Sequence, residues 1–315
     1  MIWIDKNKIS FESLDIEENA RELGLLDPLA GVPTQNAGAY KGVEADTECE
    51  EYKEPLVDVK LFGVKSVPYY REQAGNPENK TYKGNIKGAP DVNYVRKGTA
   101  ERLVEANEML DNLGLELVVI DGHRSPTTQN ILFAAFKEMY FEKIGISKDK
   151  ITSENKGVME AKRAYYDAAA KNFALDYCSS AENFDANDPK TWTIHSTGGA
   201  VDVCMVDKKS GRVVDMGEGY FDTPDAVTHT SHYENKQEKT SKELGYMNAR
   251  RVLYNVMTKV GFVNYGYECF HYSYKDQYYG CVKGEKARYG YVQSPKDRQL
   301  TNILGALKTA AEIKS

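Results

Sequence analysis

Two histidines, an aspartate and a glutamate stand at spacings that suit one metal centre. His195 and Asp202 lie seven positions apart in Thr193-Ile-His-Ser-Thr-Gly-Gly-Ala-Val-Asp202, and Glu268-Cys-Phe-His271 adds a Glu-x-x-His. Zinc takes imidazole nitrogen and carboxylate oxygen readily, and its catalytic sites combine three protein ligands with an open position. His195, Asp202 and His271 supply that set, for one ion per chain. Glu268 then stands beside the metal as a base for water, whose pKa zinc lowers from roughly 15.7 toward about 7. A cation opposite would steady the charge that develops on an attacked carbonyl. Arg124, in Asp121-Gly-His-Arg-Ser-Pro126, is the candidate because its planar fork suits an anionic oxygen. Singly, each of these patterns is common and carries little weight; together, each at a strand end, they favour a metal site over ion pairing.

The other candidates weigh less. His123 could orient a substrate, although local hydrogen bonding accounts for it as well. His229-x-x-His232 with Glu234 has the residue types of a second site but sits in a polar loop, where a solvent-facing or structural role is the commoner outcome. Cys269, between Glu268 and His271, reads as a buried apolar residue rather than a nucleophile.

The elements that must position these groups can be read from the pattern. Leu115–Ile120 is a strand that runs into the Arg124 segment, where Ser125 caps a following helix and Pro126 takes its first position. Thr99–Leu113 and Leu244–Val260 carry apolar stripes at helical spacing, each closed by glycine. Glu160–Leu175 reads as one alanine-rich helix, Val57–Phe62 as a strand, and Pro68–Pro90 as a long loop. Val201–Val206 is a strand, turned back at Ser210-Gly211 onto Val213-Val214, and Phe262–Tyr265 and Cys269–Tyr274 form a second hairpin-like pair at Gly266. In one ideal strand an odd separation would put His195 and Asp202 on opposite faces. Gly198-Gly199 must therefore break the chain with a turn or bulge. The class is α+β, a single domain with a central antiparallel sheet flanked by helices.

Residues 1–55, with six acidic residues and one lysine in Glu44–Glu54, read as an N-terminal arm or linker. Residues 56–293 hold the catalytic domain, and 294–315 an amphipathic C-terminal helix started by Ser294 and Pro295. Forty-one basic against 47 acidic residues give a net charge of −6, which argues against a nucleic-acid groove. No apolar run is long enough to span a membrane. Five scattered cysteines without a C-x-x-C form neither a zinc ribbon nor a disulfide scaffold. The N-terminus lacks a basic region followed by an apolar one, so the default expectation is cytoplasmic, with export if a signal peptide precedes this numbering. Oligomeric state is not legible.

These motifs resemble the D-alanyl-D-alanine dipeptidases, zinc peptidases related to D-Ala-D-Ala carboxypeptidases and hedgehog-type domains. Four segments carry the likeness, over roughly residues 57–275: Asp121-Gly-His-Arg-Ser-Pro126, Thr193–Asp202, Met216-Gly-Glu-Gly-Tyr-Phe-Asp222 and Glu268-Cys-Phe-His271. The helix around Asn248-Ala-Arg-Arg also looks like the family's. The resemblance implies that fold, zinc on His195, Asp202 and His271, Glu268 as acid/base and Arg124 on the scissile carbonyl. It further implies that Asp222 holds the substrate's free amine and that Thr193 lines the pocket. The chain departs from the pattern at His123 and Phe270, in an added serine before Pro126, and in one extra residue before Phe221-Asp222. No metal ligand, base or arginine is lost, so the departures bear on specificity.

The function so implied is hydrolysis of D-Ala-D-Ala or a related cell-wall-derived dipeptide, a small peptide being the expected partner. The alternatives are a carboxypeptidase or endopeptidase on larger peptidoglycan stems, and a metal-holding wall-binding protein without turnover.

Overall fold

The computed structural model of the chain describes residues 7–29, 38–72, 89–217 and 226–295. In chain order its first half forms β1 (Lys8–Ile9), α1 (Glu17–Glu22), β2 (Leu56–Asp58), β3 (Lys65–Ser66), α2 (Tyr69–Glu72), β4 (Tyr94–Arg96), α3 (Lys97–Asp111), β5 (Leu115–Asp121) and α4 (Pro126–Lys143). There follow α5 (Lys156–Tyr165), α6 (Asp167–Leu175), β6 (Ala200–Asp207), β7 (Val213–Val214), α7 (Ser241–Lys259), β8 (Val263–Asn264), β9 (His271–Ser273) and α8 (Gln277–Lys283). The class is α+β. No helix among the described residues is long and apolar enough to cross a membrane.

Strand β6 is the spine of the sheet. Ala200 to Val206 are all buried, as a near-continuous apolar run predicts for a strand covered on both faces. β5 pairs antiparallel along one of its edges. The other edge is shared: β9 pairs with residues 200–202 and β7 with Val206, both antiparallel. β8 extends the sheet beyond β9, while the two-residue strands β1 and β3 run parallel to β7 and β5. The central ladder is antiparallel as expected; only these short outer strands depart from it.

Helices α3 and α7 bury stripes of small and branched residues, Ala100, Leu103, Ala106 and Leu110 on one, Val252, Leu253, Val256 and Met257 on the other. Helix α3 packs on both β5 and α7. A reciprocal box starts α7, where the Glu243 amide donates to the Thr240 hydroxyl and the Thr240 amide to the Glu243 carboxylate. Helix α4 begins where the sequence places it, the Ser125 hydroxyl accepting from the Thr128 amide at 3.2 Å and Pro126 following.

Four expectations differ from the structure. The stretch read as an N-terminal arm packs on the domain. β1 adds to the sheet, Phe11, Leu25 and Tyr40 are buried, and the Glu54 carboxylate accepts from the Gly98 amide and the Tyr289 hydroxyl. Two carboxylates of its acidic run are therefore anchors, Glu54 on those donors and Glu51 on Lys275 at 3.2 Å. Val57–Phe62 leaves the extended state after Asp58, whose side chain caps a 3₁₀ turn by accepting from the Lys60 amide. Glu160–Leu175 is two helices, α5 and α6, joined at Tyr166. Part of Pro68–Pro90 is helical (α2), while residues 73–88 and the C-terminal helix expected beyond Pro295 lie outside the described residues.

Candidate active site

The site is written into the sheet register. Asp202 of β6 has Asp121 of β5 opposite it on one side and His271 of β9 on the other. Residues directly opposite in neighbouring strands project to the same face, so three side chains meet there. Asp121 reaches that position through a register shift between Val119 and Asp121. Without the extra residue Asp121 would face Val201 and its carboxylate would point the other way.

His195 comes from outside the strand. It lies on a 3₁₀ turn, Ile194–Thr197, that ends at Gly198 with φ +75°, and β6 starts only at Ala200. The glycine pair thus breaks the chain as the spacing required. A Cβ on Gly199 would sit 2.5 Å from the Tyr274 carbonyl oxygen, so this position also admits close approach of the chain following β9. Buried Arg96 pins the turn from behind. Its guanidinium donates to the carbonyls of Thr197, Tyr52, Glu54 and Gly290, and its amide donates to the Gly198 carbonyl at 2.8 Å.

His195, Asp202 and His271 each offer one ligand atom, and these atoms lie within 4.8 Å of one another. The His195 Nδ1 is 2.8 Å from the Gly122 carbonyl, which assigns it the proton and leaves Nε2 bare, 3.7 Å from Asp202 Oδ1. His271 Nδ1 lies 2.9 Å from the same Asp202 oxygen, and its buried Nε2 has no hydrogen-bond partner among the described residues. Burial holds His195 well below the usual imidazole range, with Arg124 and His271 adding to the effect. Burial likewise lowers His271, against the pull of Glu268. Burial pushes Asp202 well above the carboxylate range, neighbouring Asp121 pushes it further, and Arg124 opposes both. Two neutral imidazoles and two buried carboxylates facing one guanidinium form a set that a divalent cation completes.

Glu268 lies in the turn before β9, as expected, with Oε2 3.6 Å from His271 Nδ1. The Arg124 guanidinium donates through Nε and Nη2 to Asp121 Oδ2, at 3.0 and 2.5 Å, and through Nη1 to Gln129 Oε1 at 2.8 Å. Its face rests on the Tyr70 ring at 5.0 Å, and Asp202 Oδ2 is 3.8 Å from Nη2. Burial works against the charge of Arg124, but Asp121, Tyr70 and Asp202 outweigh it and keep the pKa well above its ordinary value. Tyr70, Arg124, Gln129, Asp202, Glu268 and His271 open on one cavity of about 430 Å³, large enough for a dipeptide, with Asp121 behind Arg124 and outside its lining.

Of the expected substrate contacts, Thr193 lines this cavity, and its buried hydroxyl has no hydrogen-bond partner among the described residues. His123 is a correction. Its Nε2 is 2.8 Å from the Val292 carbonyl, its amide bonds the Tyr94 carbonyl, and it is not part of the cavity wall, so it braces the fold beneath the site. Asp222 lies outside the described residues. Cys269 is buried, as expected of an apolar residue. Sequence reasoning passed over Asp121, Gln129, Tyr70 and Arg96. A carboxylate closing an apolar strand, as Asp121 does, was the one usable signal. The long Ile144–Lys190 segment, which from sequence could reshape the substrate entrance, supplies a cavity wall through Leu175, Tyr177, Cys178 and Ser179.

Against known proteins, residues 86–285 match the D-Ala-D-Ala dipeptidase family. The chain is similar to a D-alanyl-D-alanine dipeptidase of Synechocystis sp. (strain ATCC 27184 / PCC 6803 / Kazusa), 28% identical over 259 residues that cover 80% of this chain and 88% of that protein. The matched span contains the His195, Asp202 and His271 cluster together with Arg124 and Glu268, and on that footing the chain belongs to the D-Ala-D-Ala dipeptidase family of peptidases.

Proposed function

We propose that the chain is a zinc-dependent dipeptidase that hydrolyses D-Ala-D-Ala or related cell-wall-derived dipeptides. The observation that carries this reading is the convergence of His195, Asp202 and His271 on one cavity with Glu268 and Arg124 beside them. The donor set fits zinc, since His271 Nδ1 and the His195 Nε2 left bare by the bond from Nδ1 to Gly122 both face Asp202 Oδ1, at 2.9 and 3.7 Å. Zinc, when bound, supplies the Lewis acidity that polarises a carbonyl and makes water a competent nucleophile near neutral pH.

The protein groups do the rest. Glu268 takes the proton of the attacking water on a carboxylate oxygen and returns it to the leaving amine nitrogen. Arg124 has donor hydrogens beyond those given to Asp121 and Gln129, and these face the carbonyl oxygen as its charge grows. Asp121 keeps that guanidinium from turning. Thr193 offers an unspent hydroxyl to the substrate, and Asp222, by family resemblance, takes its amine. A passive metal-binding role is disfavoured by the nearness of Glu268 to the cluster.

The test is incubation of the zinc-loaded protein, and of protein stripped by a chelator, with D-Ala-D-Ala and a panel of dipeptides. Amine release only with metal present is the expected result. No hydrolysis across the panel would sink the reading, and preference for longer stem peptides would move it to a carboxypeptidase or endopeptidase.

A further inference from the structure

A zwitterionic dipeptide brings a carboxylate into the cavity, and something must meet it. Among the described residues, the basic side chains that line the cavity are Arg124, His195, His229 and His271. On the proposed function, which this inference rests on, His195 and His271 are committed to the metal. Arg124 is held by Asp121 and Gln129 and faces the scissile carbonyl. His229 is left.

Its position is built. The Cys269 amide donates to the Thr228 carbonyl, the Thr230 amide to the Gly266 carbonyl, both at 3.0 Å, and the Thr228 hydroxyl to the Tyr267 carbonyl. Residues 228–230 therefore run alongside 266–269, which places His229 beside Tyr267-Glu268. The His229 and Tyr267 rings meet edge to face, with centroids 5.0 Å apart. Buried Arg250 of α7 fixes the backbone by donating to the carbonyls of Val227, His229 and Met216, each at 2.8 Å. Among the described residues no hydrogen bond engages the His229 ring nitrogens, and the ring has access to the cavity.

The chemistry selects the same side. The substrate's carboxylate is attached to the carbon that bears the leaving nitrogen, so it must come to rest near the group that protonates that nitrogen. That group is Glu268, whose own negative charge repels a second carboxylate. A ring N–H donor next to Glu268 offsets the repulsion. We propose that His229 binds the C-terminal carboxylate of the peptide substrate.

The experiment compares D-Ala-D-Ala with D-Ala-D-alaninamide, which lacks the carboxylate charge. Calorimetry on zinc-loaded protein in a Glu268→Gln background measures binding without turnover. His229→Phe, which keeps the aromatic contact and removes the donor, weakens binding of the acid ~10-fold or more and leaves the amide within ~2-fold. His229→Gln, which retains an N–H donor, recovers part of the loss. In the active background the same change raises KM for the acid and spares kcat. Equal losses for acid and amide, no loss for the acid, or no measurable binding of the acid by the protein that keeps His229 would each overturn the inference. A wild-type protein that hydrolyses nothing sinks the peptidase reading while the acid-over-amide comparison still stands. Turnover without a preference that depends on His229 sinks this inference alone.

Discussion

Replacing Asp121 by asparagine removes a negative charge from beneath Arg124 with little change of shape. The Nε and Nη2 hydrogens of Arg124 then face an amide in place of a carboxylate, and the next carboxylate oxygen, Asp202 Oδ2, is 3.8 Å from Nη2. Removing one partner of a buried ion pair costs about 3–5 kcal/mol. Two features of this site reduce that loss. The asparagine oxygen still accepts a bond, and Asp202 is relieved of a like charge that helps to push its pKa up. The net expectation is a loss of about 2–3 kcal/mol, read as a shift of the urea midpoint at constant slope. Arg124 is then held less firmly, by the asparagine oxygen and Gln129, and is drawn toward Asp202, so kcat/KM on D-Ala-D-Ala falls about 100-fold while zinc content is unchanged. A midpoint shift worth less than about 0.5 kcal/mol together with unaltered turnover refutes the argument that Asp121 positions Arg124. Turnover that falls only in step with zinc content assigns Asp121 to the metal instead.

Other perturbations probe the surroundings. Gly199→Ala puts a methyl 2.5 Å from the Tyr274 carbonyl oxygen, a backbone atom that cannot swing aside, so the chain after β9 must move from the His195 turn. Zinc affinity measured by chelator competition should drop ~10-fold or more, and an unchanged affinity refutes the demand for close approach. Asp276 caps α8, and burial pushes its pKa up to about 6, with the Tyr279 amide opposing. Its folded pKa lies above the unfolded one, so the protein loses stability as pH rises from about 4 through about 6, by roughly 3 kcal/mol at most. Asp276→Asn keeps the cap and should flatten that slope in denaturant titrations; an identical pH profile in the variant contradicts the assignment.

What the sequence reveals follows the range of the interaction that makes each feature. Helices α3, α4 and α7 and strands β5 and β6 are legible because stripes, caps and apolar runs are local signals. The metal set is legible because residue types and a glycine pair restrict the chemistry available. The register shift that re-aims Asp121 is not, since it depends on which residue of β6 lies opposite. The bracing roles of Arg96 and Arg250 are invisible for a related reason: each spends its donors on backbone carbonyls far along the chain, and carbonyls leave no trace in residue identity. The acidic run before β2 misleads because charge suggests solvent, whereas Glu54 is held by Gly98 and Tyr289. His229 is discounted in sequence because a loop-borne histidine has no periodic pattern around it, and only its pairing with Tyr267-Glu268 gives it a place.

The alignment of Asp121, Asp202 and His271 across β5, β6 and β9 divides the chain into parts of unequal freedom. A deletion of one residue within any of these strands would turn a ligand or its partner to the opposite face, so their lengths are fixed by the chemistry. The chain between the end of α4 and Thr193 contributes no residue to that alignment, so a change in its length leaves the register of the three strands in place. That same stretch forms the wall at Leu175, Tyr177, Cys178 and Ser179. Substrate preference can therefore be remodelled by insertion in one segment while the hydrolytic centre stays intact, much as a tool changes its jaw and keeps its hinge.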